Sequence, residues 1–195
     1  MDNLDKVSSE VNVCTKCPLH RTRTNPVAGE GKSNARIMFI GEAPGANEDR
    51  TGRPFCGDAG RILDELLIIA NFRREEVFIG NILKCRPPNN RDPKPDEIKA
   101  CTPFLERQIE IIKPEIICTL GNYATAFILE KFGLKEKIQG ISRIHGKIFE
   151  ADSSYGWIKI IPMYHPAVAV YNINMKKVLE RDFKILEEFK QIFER

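Results

Sequence analysis

The feature that most constrains this chain is the stretch Ala35–Gly60, which reads ARIMFIGEAPGANEDRTGRPFCGDAG. It opens with the apolar run Ile37–Ile40, which is too short for a typical helix and is typical of a buried strand. The glycine- and proline-rich segment 41–45 follows, and this composition predicts a sharp turn with bare backbone. An amphipathic helix is predicted to begin near Asp58. Strand, glycine-rich loop and helix in this order predict an α/β protein with a pocket at the carboxyl end of a parallel sheet.

The rest of the chain repeats the same strand-then-helix order. Further strands are predicted at 77–79, 115–120 and 157–161, and further helices at 95–112, 123–132 and 176–193. This repetition predicts a three-layer α/β/α fold with a central, mainly parallel sheet of four strands. Since no repeat or linker interrupts the pattern, residues 1–195 are expected to form a single domain.

Bulk composition excludes some classes of function and leaves others open. The formal net charge is only +3, so composition by itself is weak support for a nucleic-acid partner. No apolar run approaches the length of a membrane span, and the first 14 residues lack the apolar core of a signal peptide. We therefore expect no membrane partner and a cytoplasmic location. The chain is rich in Ile, Lys and Glu but has three Gln, a bias seen in hyperthermophiles.

Four of the six cysteines have a spacing that suggests a metal centre. Cys14 and Cys17 form a CxxC, and Cys85 and Cys101 flank a proline-rich loop. Four thiolates suit structural zinc or an iron–sulfur cluster, and a CxxC alone also suits redox chemistry. Buried thiols are the structural alternative for Cys85 and Cys101. Spacing alone leaves these possibilities open.

Polar and aromatic residues gather where the predicted strands end. Glu42 and Glu48 follow the first strand and could position a water molecule, although loop glutamates are usually solvated. Phe55 could stack on a flat ring or pack in the core. Asn81 could present one acceptor and two donors to the edge of a base, or cap a turn. His165 could donate a hydrogen bond to a developing anion, or be a structural histidine. Together these residues predict a small polar pocket with one aromatic wall.

The proline-rich loop between the two later cysteines carries basic residues. Arg86 and Arg91 lie in this loop beside two asparagines, a composition that fits contacts with phosphate groups. An ordinary solvated surface is the alternative reading of the same residues.

These motifs, taken in order, resemble the family 4 uracil-DNA glycosylases, the iron–sulfur class of archaea and thermophilic bacteria. The resemblance covers nearly the whole chain. It implies an enzyme that binds DNA, flips deoxyuridine out of the stack and hydrolyses its N-glycosidic bond, with free uracil and an abasic site as products. It also implies a 4Fe–4S cluster on Cys14, Cys17, Cys85 and Cys101. The matching motifs are CxxCPL at 14–19, GEAPGANED at 41–49, TGRPFCGDAG at 51–60, GNILKCRPPNNRDP at 80–93 and HPA at 165–167.

The resemblance implies a role for each pocket residue. It implies that Phe55 stacks on uracil, that Asn81 reads its polar edge, and that His165 hydrogen-bonds O2 and stabilises the leaving anion. It further implies that Glu42 orients water and that Glu48 lies near uracil C5 and helps to exclude the thymine methyl group. The backbone of residues 41–43, from Gly41 to Ala43, completes the wall.

Two positions depart from the wider superfamily. Ala43 stands where relatives often have Asp or Asn, so the usual water-activating side chain is missing and Glu42 is the candidate to replace it. The HPA motif is followed by Val168-Ala169-Val170-Tyr171 rather than by a leucine or a basic residue. Val168 and Tyr171 are therefore the candidates for the side chain that wedges into the vacated base stack.

Three other hypotheses stay open at this stage. The chain could be a non-catalytic nucleic-acid-binding iron–sulfur module, an iron–sulfur electron carrier, or a glycosylase for another deaminated base. The presence of all four pocket residues favours the enzyme over the binding module, and nothing in the sequence supplies an electron-transfer partner. The expected partners are uracil-containing DNA, single- or double-stranded, and free uracil, bound by a monomer.

Overall fold

The apolar runs predicted as strands form the centre of one six-stranded sheet in the computed structural model, which describes residues 2–194. Every residue of the two most central strands is buried, because the sheet is covered on both faces. The strands are β1 (Glu30–Gly31), β2 (Ile37–Gly41), β3 (Phe78–Asn81), β4 (Ile116–Leu120), β5 (Phe149–Ser153) and β6 (Gly156–Met163).

The sheet has the order β1-β3-β2-β4-β6-β5, and its four inner strands are parallel. The predicted parallel core is therefore confirmed, but the predicted count of four strands is corrected to six. The two added strands lie at the edges and are antiparallel to their neighbours. One is only two residues long, and the other forms a hairpin with β6, so neither alters the parallel centre.

Helices cover both faces of the sheet, as the three-layer prediction required. The helices are α1 (Leu4–Asn12), α2 (Ala46–Thr51), α3 (Asp58–Ile69), α4 (Pro95–Ile112), α5 (Asn122–Lys131), α6 (Ile141–Ile144), α7 (Ala167–Tyr171) and α8 (Asn174–Phe193). Helices α3 and α8 pack on one face and helices α4 and α5 on the other, and each face has its own apolar core. Three short helices, α2, α6 and α7, were not predicted, because each has fewer than seven residues.

A third apolar cluster attaches the N-terminal segment to helix α4. Val7 and Val11 of α1 pack with Phe104 of α4 and with Cys85 and Cys101. Outside this cluster, Arg107 of α4 donates hydrogen bonds to Asp2 and Glu10. The N-terminal cysteines are thereby held against the loop that follows β3. Within residues 2–194, no helix has both the length and the apolar character needed to cross a membrane.

Candidate active site

The carboxyl ends of the parallel strands meet at a cavity of about 390 Å³. The register of β2 and β3 places Gly41 beside Asn81, and β6 leads through Tyr164 to His165 at the same edge. The structure therefore brings together the predicted side chains from four separate stretches of sequence. The predicted residues that line the cavity are Glu42, Ala43, Glu48, Phe55, Asn81, Arg91, His165 and Tyr171.

Asn81 is the most unusual polar residue at this edge. Its side chain is 2% exposed, and its Oδ1 has no hydrogen-bond partner within the described part of the chain. Buried polar atoms are nearly always paired, so an unpaired one at a cavity wall points to a ligand. Gly41 makes room for this side chain, because a Cβ there would lie 2.4 Å from Oδ1.

Phe55 forms the aromatic wall and is held in a strained backbone conformation. Its φ is +46°, in the left-handed region that non-glycine residues rarely adopt. The Arg74 guanidinium donates to the carbonyl oxygens of Pro54 (2.6 Å) and Phe55 (3.2 Å). Gly60 permits the close approach, because a Cβ there would lie 1.9 Å from the Phe55 oxygen. The result is a ring stacked against His165, with centroids 5.4 Å apart.

Glu48 fixes the loop that carries the aromatic wall. Its Oε1 accepts hydrogen bonds from the backbone N–H groups of Cys56 (2.9 Å) and Gly57 (3.1 Å). Its Oε2 accepts one from Gly45 at the start of α2 (3.1 Å). These three bonds tie the glycine-rich turn to the segment after Phe55. The carboxylate therefore supports both walls of the cavity as well as lining it.

His165 is arranged as a neutral hydrogen-bond donor. Its Nδ1 accepts the backbone N–H of Ala167 at 3.2 Å, so in the neutral ring the proton sits on Nε2. Burial lowers the pKa of this imidazole to about 4, against a smaller opposing effect of the Glu48 carboxylate. The ring is therefore uncharged at neutral pH and can donate from Nε2.

Glu42 is a half-buried carboxylate that lines the cavity. Burial raises the pKa of this group above its ordinary value of 4.5, and the negative charge of Asp92 adds to the effect. A raised pKa makes a carboxylate a stronger base when it is ionised. Its backbone is fixed, since the Glu42 carbonyl accepts the N–H of Leu83 at 3.0 Å.

The two basic residues predicted to contact DNA have partners within the protein. Arg86 donates to Asn90 Oδ1 at 2.7 Å. Arg91 forms a two-pronged ion pair with Glu97, whose side chain is 1% exposed. Glu97 also accepts the N–H of Lys94 at the start of α4 (2.9 Å). Arg91 thus fastens the loop to α4, and contact with phosphate stays a prediction for both arginines.

The two wedge candidates point in different directions. Val168 is half-buried and packs against the core that contains α3 and α8. Tyr171 is 88% exposed at the rim of the cavity, next to the partly exposed Val170. Of the two predicted candidates, only Tyr171 is free to enter another molecule.

All four predicted cysteine ligands line one small second cavity. Arg23 Nη1 donates to Cys85 Sγ and the Lys84 backbone N–H donates to Cys101 Sγ, both at 3.1 Å. Four sulfurs, two of which accept N–H hydrogen bonds, are a donor set that suits an iron–sulfur cluster. In residues 2–194 no three His, Cys, Asp or Glu side chains converge closely enough for a single metal ion. A cluster does not require that convergence, because its thiolates bind separate iron atoms.

Two residues that support the candidate site were not predicted from the sequence. Arg74 lies in the polar stretch FRREE, which gives no sign of a buried role. Lys84 is 1% exposed, and burial lowers its pKa to about 8 despite the opposing effect of Cys101. The only sign of its burial in the sequence is its position between the apolar residues Ile82 and Leu83 and Cys85.

The fold and this edge of the sheet agree with the comparison with known families. A sequence model of the uracil DNA glycosylase superfamily matches residues 28–190, and the chain belongs to that superfamily.

Curated relatives narrow the assignment. The type-4 uracil-DNA glycosylase of Sulfurisphaera tokodaii is 51% identical over 189 residues, covering 96% of this chain and 85% of the relative. That of Saccharolobus solfataricus is 52% identical over 190 residues, covering 96% and 87%. That of Archaeoglobus fulgidus is 46% identical over 188 residues, covering 96% and 94%. Within the superfamily, this chain is a member of the type-4 group, which confirms the resemblance found in its motifs.

Proposed function

We propose that this chain is a DNA repair enzyme that takes deoxyuridine out of DNA and hydrolyses its N-glycosidic bond. The observation that carries the proposal is the unpaired, buried Oδ1 of Asn81 beside the ring of Phe55. Uracil presents an N3–H donor flanked by two carbonyl acceptors. A carboxamide can accept from N3–H through Oδ1 and donate to O4 through Nδ2. The relatives' shared name supports uracil as the base.

Leaving-group stabilisation is assigned to His165. The uracil ring accumulates negative charge as the glycosidic bond breaks, and O2 is one of the atoms that carry it. A neutral imidazole that donates from Nε2 can stabilise that charge through a hydrogen bond. The stacking of His165 on Phe55 keeps the imidazole next to the plane in which the base would lie.

The role of orienting the attacking water is assigned to Glu42, because Ala43 has no polar side chain. The carboxylate lies at the cavity, and the buried Gly41 sits immediately before it. The walls are completed by the backbone of residues 41–43 and by Glu48. The three hydrogen bonds of Glu48 support a rigid wall, and this wall is assigned to lie near uracil C5 and to exclude the thymine methyl group.

We expect Glu42 to produce the acid limb of the pH–rate profile. Its pKa is raised, so the ionised form that orients water is lost as the pH falls through that pKa. Glu42→Gln should slow excision by roughly 10²–10³ and abolish the acid limb. The measurement is single-turnover excision between pH 4.5 and 9. An unchanged acid limb in Glu42→Gln would assign it to another group.

DNA contact is assigned to Tyr171 at the rim and to the loop that bears Arg86 and Arg91. We expect Tyr171→Ala to slow excision from double-stranded DNA about tenfold, the scale of one lost base–aromatic stack. Single-stranded DNA should be affected less, because no base stack has to be filled. Val168→Ala is the matched control, and it should lower the melting temperature instead, since Val168 packs in the core. Equal losses on both substrates would remove Tyr171 as the wedge.

A 4Fe–4S cluster is assigned to Cys14, Cys17, Cys85 and Cys101. The shared cavity and the donors to two of its sulfurs support this assignment. When bound, the cluster would join the N-terminal segment to the loop after β3, and no step of base hydrolysis needs an electron.

Loss of one ligand should remove the cluster. Cys85→Ala is expected to lose the visible absorbance and the bound iron, and to have a lower melting temperature. Cys118→Ala is the control, because this fully buried thiol lies in strand β4 outside the cysteine cavity. Wild-type protein that is colourless and holds tightly bound zinc would overturn the cluster assignment.

The enzyme is assigned a single domain over residues 1–195, of which the first and last lie outside the described residues. One continuous sheet and apolar cores on both of its faces support that assignment. A monomer is proposed because the pocket is built from one chain. A cytoplasmic location is proposed because all six cysteines are free of disulfides.

The test of the function is excision from an oligonucleotide with one deoxyuridine, followed by alkali to break the abasic site. A thymine oligonucleotide of the same sequence is the control. Cleavage of the uracil strand alone supports the proposal. If neither strand is cleaved but the absorbance of a cluster is present, a non-catalytic binding module or another deaminated base becomes the better assignment.

A further inference from the structure

Lys84 is a buried lysine whose ammonium group has only neutral hydrogen-bond partners. Its side chain is 1% exposed, and Nζ donates to the backbone oxygen of Asn81 (3.0 Å) and to Gln108 Oε1 (2.7 Å). Among residues 2–194, no carboxylate forms an ion pair with it. A buried charge without a counter-charge is costly, so such a lysine calls for a negative partner.

The candidate negative partner is the cysteine site, which the backbone of Lys84 contacts. The Lys84 backbone N–H donates to Cys101 Sγ at 3.1 Å, and the next residue is Cys85. Arg23 donates to the Cys85 sulfur in the same cavity. Four thiolates around a cluster would give the site net negative charge, and Arg23 and Lys84 both line this cavity. Charge and hydrogen bonds at the sulfurs are the features that tune such a cluster.

Lys84 also fixes the backbone of Asn81. Its ammonium holds the main chain of the residue whose carboxamide is assigned to read uracil. Gln108 is itself anchored, since its Nε2 donates to the Ala28 carbonyl at 2.7 Å. A recognition group must be held within about 0.5 Å of its working position, so a shift of this main chain would misplace the Asn81 side chain.

We propose that Lys84 is a positioning residue that couples the cysteine site to uracil recognition by Asn81. The thiolates of the bound cluster compensate the Lys84 charge, and the compensated ammonium holds the Asn81 carbonyl in place. This inference rests on the proposed uracil excision and on the proposed cluster. It assigns the cluster an effect on recognition that needs no electron transfer.

The test compares Lys84→Met with the wild-type holoenzyme in two measurements. Methionine has a similar length but neither charge nor donor. The first measurement is the rate at which a chelator bleaches the visible absorbance of the cluster. The second is kcat/KM on the deoxyuridine oligonucleotide, with the Kd for undamaged DNA measured in parallel. We expect about tenfold faster bleaching and about tenfold lower kcat/KM, the scale of a lost charged hydrogen bond, with an unchanged Kd.

Two control variants separate coupling from general loosening. Asn81→Ala should lose excision while bleaching stays at the wild-type rate. Leu129→Ala, in the fully buried part of α5, should lower the melting temperature and leave both measurements unchanged.

Each outcome decides the proposal. Lys84→Met that alters only one of the two measurements, or Leu129→Ala that alters both, overturns it. If Lys84→Met does not fold, Gln108→Leu takes its place, since it removes an acceptor of the ammonium without touching a sulfur. An unchanged kcat/KM in Gln108→Leu then overturns the coupling. Failure of the wild-type protein to excise uracil contradicts the proposed function itself, whereas an active wild type with a normal Lys84→Met contradicts only this inference.

Discussion

Replacing His165 with alanine is expected to slow single-turnover uracil excision by roughly 10²–10³, the effect of losing one preorganised donor to a developing anion. The physical reason is the neutral ring, whose Nδ1 is occupied by the Ala167 N–H and whose Nε2 is left to donate. The measurement is the rate of abasic-site formation with enzyme in excess over the deoxyuridine oligonucleotide.

Two controls make the His165 result specific. The Kd for undamaged DNA should not change, because the side chain is assigned to the leaving group rather than to the duplex. In the wild-type enzyme, protonation of His165 should matter only near pH 4, because burial lowers its pKa to about that value. A loss of tenfold or less in His165→Ala would contradict leaving-group stabilisation by this residue.

Replacing Asn81 with alanine is expected to lower kcat/KM for uracil excision by about 10²–10⁴, because two hydrogen bonds of about 1.5–3 kcal/mol each are lost in the transition state. Binding to undamaged DNA should persist. The measurement is steady-state excision beside a binding titration with a thymine oligonucleotide. Unchanged excision would remove Asn81 from uracil recognition.

Stability separates a recognition role of Asn81 from a structural one. Its Oδ1 has no protein partner within the described residues, so its loss leaves no partner atom stranded. We therefore expect Asn81→Leu, which keeps the volume, to melt no lower than the wild type while being as inactive as Asn81→Ala. A large fall in melting temperature for Asn81→Leu would indicate that the carboxamide holds the fold.

Much of the fold could be predicted because its signals are local. A buried strand such as β2 is marked by its own apolar run, and the glycine-rich turn after it is marked by its own composition. The edge strand β1 was not predicted, since its two residues are too few to show any periodicity. The same limit hid α2 and α7, which flank the cavity.

The residues of the candidate site could be predicted, but the hydrogen bonds and ion pairs that they form could not. Strand ends placed Asn81 and His165 at one edge, because parallel strands share their carboxyl ends. Nothing local to Arg74 indicated that it holds the carbonyl of Phe55, 19 positions away. Arg91 gave the signal of a phosphate-binding residue, yet its guanidinium is paired with the buried Glu97.

By itself, the sequence determined the parallel α/β core, the order of the motifs and through them the family. Those properties depend on residue type and spacing, which are written along the chain. Only the tertiary structure decided that Oδ1 of Asn81 is left unpaired, that Tyr171 rather than Val168 faces outward, and that Lys84 lies between the cysteines and the pocket. Hydrogen bonding, exposure and charge compensation depend on which distant segments meet, and that is settled only when the chain packs.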